Sequence, residues 1–320
     1  MTNAEEFNLL HIHADEDQGT ESDAASPSTD LVHREAAAGP RMPLLVSISG
    51  HTDAGQLSEQ LAETLLGRLQ HRSVAHFEVD DLFDYRSRRP QLTFTGNRFS
   101  EFQGPRLELF EVVDASGRPF LLLTGDEPDF QWESVTETLL QLIEQIDVRL
   151  VVTVDALGLP TPHTRPVGVT AHGNRTDLVE GISTWSPEAK IEGGLSQMLE
   201  LRADEAGRDV VGYTLHVPHY LAGGKYPQVA VAALEYAGAA GELMLPTDEL
   251  REAARSVEAD ITRQVEQAPE IAQLVRQLEA NFDQYATTNQ RSLLVKEGDT
   301  VPDAEELGAA VEEFLRNQNG

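Results

Sequence analysis

Hydrophobic positions alternate between two rhythms along the chain. Short unbroken apolar runs at 43–49, 74–79, 106–113, 120–124, 148–154, 167–172 and 210–217 predict strands. Runs of this kind fit strands buried on both faces of a sheet. Between them stand stripes at helical spacing. Leu57, Leu61, Leu65 and Leu69 make one face. Trp132, Val135, Leu139, Leu142, Ile143 and Ile146 make another over 130–146, and further helices are expected at 195–206 and from Pro227 through Tyr236. The turn Asp114-Ala115-Ser116-Gly117-Arg118-Pro119 between two apolar runs predicts an antiparallel hairpin beside the parallel core. A further short strand is expected at 91–94. The chain therefore reads as an α/β fold with a mostly parallel, mixed sheet.

The rhythm changes at both ends. Residues 1–41 hold nine acidic residues against Arg34 and Arg41 and too little apolar surface to offset ordering, which predicts a mostly disordered acidic tail. Within it, Phe7 to Ile12 is a candidate docking patch or a few residues lying on the body. The α/β core is expected over 42–246. From 247 to 320 the pattern is helical alone: a stripe from Leu250 to Val265, a second helix from Pro269, a linker at 286–301 and a last helix at 302–317. Amphipathic helices of this kind have faces to bury, on the body or on another subunit.

Composition narrows the classes. Among 320 residues, 24 basic and 54 acidic side chains leave a net charge of −30, which disfavours nucleic acid and anionic membrane surfaces as partners. No apolar run is long enough to span a bilayer, no signal peptide is evident and cysteine is absent, so a cytoplasmic protein without thiolate chemistry is expected. The sequon at Asn174 is read as chance.

Candidate chemistry gathers past strand ends, where sites of α/β folds lie. Asp53 follows the first core strand and reads as a helix N-cap, with Gln56 completing a capping-box spacing. The loop 155–166 carries three prolines that hold His163 and Arg165 in place. His216, His219 and Tyr220 close the strand 210–217, where Pro218 opposes a helix presenting both histidines to one zinc. Asp53, His163, Arg165, His216, His219 and Tyr220 are thus candidates for a ligand pocket or an interface. No catalytic constellation, cofactor motif or metal set is apparent.

Ordered pieces of the chain resemble the proteasome assembly chaperone 2 family in its actinobacterial-type branch. They are Ser49-Gly50, Thr52 to Gly55, Asp84-Tyr85-Arg86, Arg89-Pro90, Pro105-Arg106, Glu127-Pro128-Asp129, Trp132, Pro162 to Pro166, Val217 to Tyr220 and Val275 to Glu279. The resemblance implies a three-layer α/β/α sandwich of phosphorylase/hydrolase-like form with a C-terminal helical extension. It supplies no catalytic residues. It departs at His51, where the branch carries Trp, and at Asn317 to Gly320, where some chaperones carry a proteasome-docking hydrophobic-Tyr-any tripeptide. The expected function is a non-enzymatic protein-binding or assembly-chaperone-like role, as a homo-oligomer with a protein partner. The alternative is a ligand-binding protein or phosphorylase/hydrolase-type enzyme in which Asp53, His163, Arg165 and His219 converge.

Overall fold

The computed structural model describes residues 9–13, 41–183 and 190–292. In chain order the elements are β1 (Leu10–Ile12), β2 (Pro43–Ser49), α1 (Leu57–Arg68), β3 (Gln70–Phe77), β4 (Gln91–Thr95), β5 (Arg98–Gln103), β6 (Leu107–Val113), β7 (Pro119–Asp126), α2 (Trp132–Gln145), β8 (Leu150–Leu159), β9 (Gly168–Gly173), α3 (Thr176–Val179), α4 (Leu195–Glu205), β10 (Val210–Pro218), α5 (Pro227–Gly241), α6 (Asp248–Gln267) and α7 (Pro269–Ser292).

Eight strands form one sheet in the order β1-β3-β6-β7-β2-β8-β10-β9. The inner four, β7, β2, β8 and β10, are parallel, and the flanks are antiparallel. Their apolar runs divide by the period of two that a strand imposes. Leu45, Val152, Val154, Val211 and Leu215 face a layer containing α1 and α5. Leu44, Val46, Val151 and Val210 face α2 and α4. The result is the expected three-layer α/β/α sandwich with helices α6 and α7 following it.

Several local expectations change. Asp53 is not the N-cap of α1. Its backbone still bridges to Ala156 of β8, so α1 begins later, after Gln56 in a left-handed conformation, and the Asp53 carboxylate reaches forward to accept the Ser58 amide at 2.8 Å. The run at 91–94 is a strand, but it pairs with β5 in a separate two-stranded sheet. Inside the acidic N-terminal stretch, Leu10–Ile12 adds an edge strand along β3. Helix α7 continues through 286–292, where a linker was expected. The helix expected at 302–317 lies outside the described residues.

The C-terminal part is joined to the sheet by a buried carboxylate. Asp114, at the β6–β7 turn, accepts the backbone amides of Ser116, Arg118 and Met244. Burial alone would raise its pKa, yet the amides of Met244, Arg118 and Ser116 and the Ser116 hydroxyl hold it below the ordinary value. Asp114→Asn is expected to lower stability at pH 7 by about 1–3 kcal/mol. A depressed carboxyl stabilises above its unfolded pKa, so the wild-type advantage holds above about pH 4 and fades as pH falls through the native pKa. Urea midpoints of both proteins across that range measure it.

Candidate functional site

The parallel strands end together, and polar side chains collect there on both faces of the sheet. On the α5 side, β10 passes into a 3-10 turn, His219–Leu221, that packs against the loop following β8. The Tyr220 hydroxyl accepts the His163 amide at 3.0 Å and donates to His163 Nδ1 at 2.7 Å. His219 contacts the Tyr220 ring edge-on. Burial lowers the His163 pKa and raises that of Tyr220. The structure therefore brings His163, Tyr220 and His219 together.

Arg165 lies beside them but is engaged elsewhere. Its guanidinium takes Asp283 of α7 through Nε at 2.8 Å and Nη2 at 2.6 Å, and Nη1 reaches Glu279 at 3.3 Å. Thr164 also donates to Glu279. The proline-bounded loop is thus a clamp on the C-terminal helix, and a forked guanidinium suits a carboxylate in this role. Asp53 is occupied with Ser58, and burial pushes its pKa up. His216 points to the opposite face, where Nε2 meets Thr170 Oγ1 at 2.9 Å and burial lowers its pKa to about 4. The six candidates form one cluster of three, a clamp, a helix-starting carboxylate and a separate buried histidine.

The α4 side holds groups the sequence reading missed. Asp155 of β8 is 1% exposed and accepts the Thr52 hydroxyl at 2.8 Å through Oδ1, and hydrogen bonds from Thr52, Gln197 and Ser196 favour its charged form against burial. Burial raises its pKa to about 6. His172 of β9 joins Glu200 of α4 at 2.7 Å and Thr214 of β10 at 3.0 Å. Glu127 caps α4 by accepting the Leu195 amide at 2.7 Å. The signal was available: Thr153 and Asp155, Thr170 and His172, and Thr214 and His216 recur every second residue in otherwise apolar strands. Among the described residues no group of three His, Cys, Asp or Glu could hold a metal ion.

Two apolar surfaces lie outside these clusters. The β4–β5 arm exposes Phe94 (61%), Phe99 (69%) and Phe102 (61%), together with Leu92. Separately, an open groove of about 650 Å³ runs between α5 and α6, lined by Val167, Val231, Ala232, Tyr236 and Ala254. No helix among the described residues is long and apolar enough to cross a membrane.

Comparison with known proteins places this architecture. The model of the PAC2 family matches residues 47–265. A Mycobacterium tuberculosis protein of unknown function, Rv2714, is 40% identical with a TM-score of 0.73, over 77% of this chain and 86% of that one. A Corynebacterium glutamicum protein of unknown function is 32% identical with a TM-score of 0.76, over 86% of this chain and 97% of that one. A Mycobacterium tuberculosis proteasome-assembly chaperone homologue, Rv2125, is 24% identical with a TM-score of 0.66, over 73% of this chain and all of that one, a likeness of fold. No curated protein matches the chain.

Two outcomes are expected from these geometries. Arg165→Ala should speed hydrogen exchange in α7 and leave β2 and β8 unchanged, since it removes only the clamp. Asp155→Asn should stabilise the protein by about 1–3 kcal/mol at pH 8. A carboxyl with a raised native pKa is stabilising below its unfolded value and loses this as pH rises through about 6. The gain should therefore vanish below about pH 4, and a pH-independent difference in denaturation midpoint would contradict it.

Proposed function

The chain belongs to the PAC2 family, and from that premise we propose that it is a protein-binding, assembly-chaperone-like protein that works as a homo-oligomer. The observation that carries this reading is the β4–β5 arm. A two-stranded hairpin is marginal in water by itself. This one turns three phenylalanines outward, and apolar surface of that kind marks a site of protein association. Phe94 and Phe99 already pack with tilted rings at 5.0 Å between centroids, a preformed aromatic patch.

The hairpin 91–103 carries Arg98 against Glu101, so its aromatic face bears little charge to desolvate when another chain covers it, on a protein whose net charge is −30. The likeness of fold to a proteasome-assembly chaperone homologue makes proteasome subunits the first partner class to test. The predominantly apolar α5–α6 groove offers a second docking face.

The alternative reading, a ligand pocket or enzyme site built from Asp53, His163, Arg165 and His219, has less support. Arg165 is committed to Asp283 and Glu279, and Asp53 to Ser58.

Native mass spectrometry of the full chain, alone and with the proteasome α subunits of the same organism, tests the proposal. Wild type is expected above the 35.1 kDa of one chain. Phe94→Ser combined with Phe99→Ser should return it to one chain with unchanged circular dichroism, because both side chains are exposed. A wild-type monomer that forms no complex with α subunits would overturn the reading.

A further inference from the structure

Three neighbouring strands carry polar side chains at every second position on the face that α4 covers. Their registers align these positions across the sheet. Thr153 of β8 pairs with Gly212 of β10, and Gly212 with His172 of β9; one step on, Asp155 pairs with Thr214, and Thr214 with Thr170. Gly212 makes the arrangement possible. A Cβ there would stand 2.1 Å from His172 Cε1 and 2.6 Å from Glu200 Oε2, so only glycine lets the imidazole lie across β10.

The hydrogen bonds fix the polarity of that imidazole. Nδ1 lies 2.7–2.8 Å from both oxygens of Glu200, which as a carboxylate only accepts, so Nδ1 carries the proton. In the neutral ring, Nε2 then presents its lone pair to Thr214 Oγ1 at 3.0 Å, and the hydroxyl donates. Carboxylate, imidazole and hydroxyl stand in the order and at the separations that activate an oxygen nucleophile. Thr214 is only partly buried and the His172 side chain is 29% exposed, so both can be reached from solvent. His216 lacks this arrangement: it meets Thr170, and no carboxylate is bonded to its other nitrogen among the described residues.

We propose that Thr214, His172 and Glu200 form a hydrolytic triad for a small carboxylic ester. Thr214 Oγ bonds to the carbonyl carbon as its proton passes to His172 Nε2. The bond to the leaving oxygen then breaks and that oxygen takes the proton. Water, deprotonated by His172, attacks the threonyl ester, which releases the acid and returns the proton to Thr214. Glu200 touches only His172 and is a positioning residue. Burial would lower the His172 pKa, but Glu200 outweighs it and holds the pKa above the ordinary value, so the base form grows with pH. This activity is separate from docking through the arm and stands or falls without it.

The test uses the full-length protein with p-nitrophenyl acetate. Thr214→Ala and His172→Gln should each lose about 100-fold or more in kcat. Glu200→Gln should move the pH profile to lower pH. A wild-type rate equal to that of Thr214→Ala overturns the proposal. Because the chain has no cysteine, Thr214→Cys provides a second readout that needs no turnover. Its single thiol should be alkylated by iodoacetamide at about pH 6.5 at least 10-fold faster than in Thr214→Cys combined with His172→Gln, since a neighbouring imidazole promotes the thiolate. Equal alkylation rates in the two proteins also overturn it.

Discussion

Burial of four parallel strands on both faces at once is the constraint on which the rest of the structure depends. Strands β7, β2, β8 and β10 have no polar face to turn to water, so helices must cover each side. That requirement sets α1 and α5 against one face and α2 and α4 against the other. It also decides where polar chemistry can stand. Over most of their length the strands carry apolar side chains, and the polar ones gather toward the carboxyl ends. Asp155 is kept at a cost that shows in its raised pKa, while His172, on antiparallel β9 beside the amino half of β10, is matched by Glu200.

Much of this architecture was legible in the chain. The unbroken runs at 43–49, 120–124, 148–154 and 210–217 lie within the four parallel strands, because only a two-sided core calls for such runs. The site was less legible. His163 and Tyr220, both candidates for a ligand pocket or an interface, are hydrogen-bonded to each other. Arg165 was a candidate for the same pocket or interface; its partners lie more than a hundred residues further on in α7, a pairing no local pattern reveals. Asp155 and His172 were overlooked for a different reason. Asp155 was assigned to the loop after 148–154, whereas β8 runs on to Leu159, and His172 closes a run read as a strand; their period-two recurrence with Thr153 and Thr170 becomes a cluster only when β8, β10 and β9 lie side by side. Strand β5 escaped because its two apolar residues, Phe99 and Phe102, stand three apart and break the period of two that marks a strand.

The additions to the sandwich share a physical character. The C-terminal helices are tied back by the Asp114 cage on Met244 and by the Arg165 fork on α7, two charge-assisted attachments. The β4–β5 arm instead exposes Phe94, Phe99 and Phe102. From that contrast comes the proposal that the arm meets another chain.

That claim is tested most directly by hydrogen exchange of the backbone amides at 91–103 in the full chain across a dilution series. A hairpin covered by another chain keeps its amides protected, and the account predicts strong protection at high concentration that is lost on dilution while β2 and β8 stay protected throughout. Rapid exchange of the arm at every concentration would contradict it.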